Sequence, residues 1–169
     1  MFTEETENRI ASFFNELANT LNESLTALRA VKDSVTYHPP TIFTYLSNHK
    51  DFIDINDIID YLKCNCIYAT RDEIAFMLFL LGCVNDKISQ VDFCIGMFND
   101  DLTHLNSKNE DRLFKIKDRM LFETLIKKKL EIVRVIEFYS LKITKRNDFS
   151  MNDMFMLLGR NTNTFNQKE

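Results

Sequence analysis

Apolar positions recur at threes and fours along most of the chain, and the breaks in that rhythm mark its elements. From Glu4 to about Val35, the residues Ile10, Phe13, Phe14, Leu17, Leu21, Leu25 and Leu28 form one apolar stripe, the mark of a long amphipathic helix. His38-Pro39-Pro40 stops this helix and starts another, because proline suits a first helical turn and not an interior. A short helix is predicted over 41–46, a polar link over 47–52, and a helix over 55–64 with Asp54 as its N-cap. Thr70-Arg71-Asp72-Glu73 has the spacing of a capping box, and the helix it opens is predicted to run through Leu81. A loop over 82–87 leads to a brief extended pair, Ile88-Ser89, and then to a helix over 90–98. The polar stretch 99–109 reads as a linker. A second long helix is predicted from Asp111 to about Lys145, on Leu113, Ile116, Met120, Leu121, Leu125, Leu130, Val133 and Ile136. Ser150-Met151-Asn152-Asp153 caps a final short helix through Leu158, which Gly159 ends, and the last ten residues read as frayed.

Composition supports this reading. Of 169 residues, 45% are hydrophobic and 15 are Phe, enough to build a core. Only 3 Gly and 2 Pro occur, too few for the hairpins and bulges of an all-β chain. The expected fold is therefore all-α. The expected division is a long helix over 1–38, a paired helix–loop–helix over 39–100, a linker over 101–110 and a helical arm over 111–169.

Two segments share one pattern. Ile42-Phe43-Thr44-Tyr45-Leu46 is followed by Phe52-Ile53-Asp54 and Asp57-Ile58; Met77-Leu78-Phe79-Leu80-Leu81 is followed by Lys87-Ile88-Ser89 and Asp92-Phe93. Each is an apolar helix, a loop, a lone Ile and a helix opened by an acid, and the two Ile are 35 residues apart. On these residues the chain resembles the EF-hand superfamily, from about Thr41 to Phe98. The resemblance implies that Ile53 and Ile88 hold loop position 8 and pair in a two-stranded sheet. It also implies that Asp57 and Asp92 hold the closing position 12.

The departures from that family decide the expected chemistry. Calcium loops need oxygen ligands at positions 1, 3 and 5, a Gly at 6 and a bidentate Glu at 12. Here the first loop has Leu46, Asn48, Lys50 and Asp51 at positions 1, 3, 5 and 6, and the second has Leu81, Cys83, Asn85 and Asp86. Leu at position 1 removes the anchoring carboxylate in both. Lys50 puts a cation where the ion would be, and Asp at position 12 is a methylene shorter than Glu. The expectation is that neither loop binds calcium and that Asn48, Asp57, Asn85 and Asp92 are vestigial loop positions. No metal and no cofactor are expected.

An internal repeat also shows. At an offset of 112 residues, the separation of Phe43 from Phe155, Val31 aligns with Ile143, Tyr37 with Phe149, Ile42 with Met154 and Leu46 with Leu158. A long helix, a break and a short capped helix thus occur twice. In this the chain is similar to the tandem degenerate EF-hand proteins of ciliary axonemes, ciliates especially, and its Asn-, Lys-, Ile- and Phe-rich composition suits such a source.

Charge is uneven. Lys108 to Asn147 carries 12 basic and 6 acidic residues, so the remainder carries 9 and 19 and is strongly acidic. Lys127, Lys128, Lys129 and Arg134 form a basic patch on the second long helix, expected to meet an acidic protein partner such as tubulin. It lacks interleaved aromatics, so nucleic acid is not expected. Cys64, Cys66, Cys83 and Cys94 fall in apolar helical patterns, and the polar, acidic start of the chain is neither a signal nor a transit peptide, so reduced thiols are expected. Cys64 and Cys66 have no second Cys/His pair at zinc spacing. The richest apolar run, Ile74 to Val84, is too short to cross a membrane. His38, His49 and His104 sit in polar breaks, and no phosphate loop, G-x-S-x-G or H-E-x-x-H occurs. Met151, Met154, Phe155 and Met156 form an apolar face that suits either a core or a partner.

The sequence therefore predicts a non-catalytic, calcium-independent interaction protein of a large cytoskeletal assembly, with the doublet microtubules of a cilium as the type case. The other readings are a light-chain-like module that grips a partner helix, and a weak calcium sensor.

Overall fold

Short-range signals place most of the elements. In a computed structural model, which describes residues 2–83, 85–100 and 114–154, the chain is mostly helical with one two-stranded sheet. The order is α1 (Glu4–Lys32), α2 (Pro39–Leu46), β1 (Phe52–Asp54), α3 (Ile55–Cys64), α4 (Arg71–Leu80), β2 (Lys87–Ser89), α5 (Gln90–Phe98) and α6 (Ile116–Thr144). One more helical turn covers 151–154. The all-α class follows. Asp54 caps α3 by accepting from the Asn56 and Asp57 amides, and Thr70 with Glu73 forms the reciprocal box that opens α4. Pro39 and Pro40 occupy the first turn of α2. The linker over 101–110 and the apolar residues Phe155, Met156 and Leu158 lie outside the described residues.

The structure divides into two compact units, one of Met1–Asn19 with Val135–Glu169 and one of Thr20–Arg134. The cuts fall inside α1 and α6.

In the Thr20–Arg134 unit, α2 packs on α5 and α3 on α4, while β1 and β2 pair antiparallel. The core takes Ile42, Phe43 and Leu46 from α2, Ile58 and Leu62 from α3, Ile74, Met77 and Leu78 from α4, and Phe93, Met97 and Phe98 from α5. Helix α6 adds Phe122, Leu125, Ile126, Leu130 and Val133. Phe122 sits at the centre of the aromatic contacts, with its ring 5.6 Å from Tyr61, 6.1 Å from Phe98 and 6.1 Å from Phe114. Gly96 lets α5 come close to the chain: a Cβ there would stand 2.5 Å from the Leu81 carbonyl oxygen.

In the other unit, Phe2, Ile10 and Ile143 form a small core covered by Phe13, Tyr139, Phe149 and Met154. Met151 of the apolar face is exposed.

Two helical stripes differ from their sequence reading. On α1, Leu21 and Leu25 are 43% and 48% exposed, while Thr20, Ser24 and Ala27 are buried. Between residues 20 and 27 the packed side carries small side chains, which permit close approach, and Leu21 and Leu25 face outward, while Ile10 is buried and Leu28 packs partly against the core. On α6, Leu125, Leu130 and Val133 are buried as expected, but Ile116 and Met120 are exposed and Phe122 and Ile126 join the buried side. Periodicity gives a helix its stripe, but the neighbour it docks against selects the face.

Candidate functional site

The two loops joined by the short sheet carry the most organised polar chemistry of the Thr20–Arg134 unit. Ile53 lies directly opposite Ile88, Phe52 opposite Ser89 and Asp54 opposite Lys87. Both Ile side chains are buried, as alternation in a strand allows. Leu46 and Leu81, which open the two loops, are also buried core residues, so neither offers anything polar to the loop.

The loops turn differently. In the first, Asn48 (φ 50°) and His49 (φ 63°) take the left-handed conformation. In the second, Gly82 (φ 93°), Asn85 (φ 53°) and Asp86 (φ 60°) do so. Asn and Asp tolerate this region better than other side chains, which explains how both loops turn with a single glycine between them. Asn48 and Asn85 are exposed at these bends.

The first loop closes on a cation from the chain itself. The Lys50 ammonium donates to Asp57 Oδ2 at 2.6 Å and to Asp54 Oδ2 at 3.2 Å. The same Asp57 oxygen accepts the Asp54 backbone N–H at 2.9 Å. The Phe52 ring lies beside two ammonium groups, 5.2 Å from that of Lys50 and 4.1 Å from that of Lys87. Bonding to Asp57 first, and then to Asp54, raises the Lys50 pKa against the opposing effect of burial. For Asp54, burial pushes the carboxyl up, but the Asp57 N–H, Lys50 and the Asn56 N–H outweigh it and hold the group below its ordinary value. Among the described residues, the structure gives the second loop no such ion pair. There the Ser89 hydroxyl donates to Asp92 Oδ2 at 2.6 Å, and the Asp92 N–H donates to Ser89 Oγ at 3.2 Å. Among the described residues, no group of three or more His, Cys, Asp or Glu side chains could hold a metal ion.

The four basic residues of α6 have separate fates. Lys128 is held by Glu23 and Glu131, each at 2.7 Å. Arg134 donates to Glu73 Oε1 at 2.7 Å and to the Tyr68 carbonyl at 2.8 Å, tying α6 to the capping box of α4. That guanidinium, ahead of the other contacts, holds the Glu73 carboxyl below its ordinary value. Lys129 is half-buried, and burial lowers its pKa. Lys127 is exposed. Two of the four charges, those of Lys128 and Arg134, are thus paired inside the unit.

Sequence reasoning missed a second polar cluster. Asp118, on the first turn of α6 and 9% exposed, accepts from the Ser34 hydroxyl at 2.7 Å and from the Thr36 hydroxyl at 2.6 Å. The available signal was the short Ser-x-Thr turn ahead of α2, but its partner lies 82 residues away. Of the four free cysteines, Cys64 and Cys66 are exposed and Cys94 is buried, with its thiol pushed up to about 12 by burial and then by Asp100.

No family model, curated protein or solved structure matches the chain. No helix among the described residues is long and apolar enough to cross a membrane.

Proposed function

We propose that this chain is a non-catalytic, calcium-independent interaction scaffold built on a degenerate EF-hand-like pair. The observation that carries the reading is the burial of α6. In the EF-hand resemblance, a paired helix–loop–helix grips a target helix in an apolar groove. Here Phe122, Leu125, Ile126, Leu130 and Val133 of the chain's own α6 share the core with α2, α3, α4 and α5. A groove filled in cis supports a module that stays closed, and it weighs against the light-chain-like reading, in which a partner helix would have to displace α6. The buried leucines at the head of each loop and the Lys50 ammonium weigh against a calcium sensor. Partners would then meet the outside of the module, where large apolar side chains such as Leu21, Leu25, Tyr68 and Phe79 are exposed. The ciliary microtubule setting rests on the sequence resemblance alone.

The test is calcium titration of the purified chain, with near-ultraviolet circular dichroism and binding of a hydrophobic dye as readouts. Neither signal is expected to change. A calcium-dependent rise in dye binding would mean that a groove opens, and would overturn the closed scaffold in favour of a sensor.

A further inference from the structure

We infer that Lys50 is the resident cation of the first loop, its ammonium bound by Asp54 and Asp57 as a tethered substitute for a divalent ion. This goes beyond the scaffold reading, because it concerns what holds the loop closed whatever the chain binds.

Three observations carry it. The ammonium bridges two carboxylates of one loop, at 2.6 Å to Asp57 and 3.2 Å to Asp54, rather than pairing with one. The Asp57 oxygen it grips is the one that accepts the Asp54 N–H, so the cation and the start of α3 share a ligand atom. Asp57 is shielded, at 13% side-chain exposure, so its charge calls for a neutralising partner within the fold. A metal ion in such a loop joins the bend before the sheet to the first turn of the helix after it. Lys50 does the same covalently, with its backbone in the bend and its ammonium on α3. The tie is unimolecular and cannot be diluted or chelated away, which suits a loop that stays closed at every calcium level. In the second loop the Ser89 hydroxyl, not an ammonium, bonds the closing Asp92.

The experiment compares thermal melts of the full chain with those of Lys50→Met, Lys50→Arg and the double variant Lys50→Met with Asp57→Asn. Each is melted in sodium chloride and in millimolar calcium chloride of equal ionic strength. Lys50→Met keeps the aliphatic stem and loses the charge. It is expected to melt a few degrees lower and to regain part of that loss in calcium, since the vacated carboxylates then take the ion. Lys50→Arg should stay close to the parent. The double variant should lose the calcium response, and its loss of stability should be less than the sum of the two single losses. The parent should melt alike in both salts. The inference is overturned if Lys50→Met melts like the parent, or if it is destabilised yet answers no better to calcium than to sodium. The scaffold reading fails separately, through dye binding by the parent chain.

Discussion

Thr36 donates its hydroxyl to Asp118 at 2.6 Å, and at the positions 112 residues away the roles are exchanged: Thr6 donates to Asp148 at 2.7 Å. Thr36 corresponds to Asp148, and Asp118 to Thr6. Each contact lies within its own unit, between a long helix's first turn and the turn that follows a long helix. The correspondence extends to the elements: α1 and α6 are both 29 residues long, they start 112 residues apart, and each is followed by a turn of the same form. Phe2 and Phe114, Ile10 and Phe122, and Val31 and Ile143 are buried at matching positions.

The two carboxylates contribute to the acid limb of stability, alongside Asp54 and Glu73. Burial pushes Asp118 up, but the Ser34 and Thr36 hydroxyls outweigh it, so its folded value lies below the unfolded one. Asp148 is held well below the usual carboxylate range, first by the Thr3 amide and then by the Thr6 and Thr3 hydroxyls. A depressed folded pKa means stability that is present above the unfolded value, near 3.8, and lost as pH falls through the folded value. Urea melts should therefore weaken progressively below about pH 4. Asp118→Asn should cost about 1–2 kcal/mol at neutral pH and flatten that acid limb. An unchanged slope would remove Asp118 from the account.

Gly96→Ala should destabilise the chain. The substitution raises helix propensity by about 1 kcal/mol. Against this, the new Cβ would meet Leu81 backbone atoms at 2.5 and 2.9 Å, and backbone cannot swing aside as a side-chain tip can. Overpacking of this kind costs about 1–3 kcal/mol, so a lower midpoint in urea is the expected outcome. A raised midpoint would show that α5 has room to shift.

Tyr61→Phe should be neutral or stabilising. The hydroxyl is buried without a hydrogen-bond partner among the described residues, while the ring packs on Tyr45 and Phe122. The substitution keeps the ring and removes an unsatisfied polar atom whose burial costs about 1–3 kcal/mol. A loss of stability on melting would mean that an ordered water serves the hydroxyl.

The outward leucines of α1 should tolerate polarity, and its inward serine should not tolerate bulk. Leu25→Gln is expected to stay within about 0.5 kcal/mol of the parent. Ser24→Leu forces a large side chain into a buried small-residue contact and should cost about 1–3 kcal/mol. Equal effects of the two in denaturant melts would mean that the helix can rotate to bury its leucines.

What the sequence determined by itself is local. Turn and cap chemistry act within four residues, so His38-Pro39-Pro40, Asp54, and Thr70 with Glu73 could be read directly, and helix ends were displaced by only a few residues. That Lys50 puts a cation in the first loop could be read too, though not which carboxylates it reaches. The 112-residue repeat is likewise a property of the chain alone. The buried Ile10, Leu125, Leu130 and Val133 were on the sequence stripes, but only the tertiary structure decided the rest of the buried face of each long helix. Thr20, Ser24 and Ala27 lie inside in place of Leu21 and Leu25, and Phe122 and Ile126 are at the centre of the α6 contact in place of Ile116 and Met120. It also decided that Lys128 and Arg134 spend their charge on Glu23, Glu131 and Glu73. The reason is physical: periodicity constrains a helix only against itself. The choice between two faces, or between a partner's acid and the chain's own, depends on fit to residues tens of positions away.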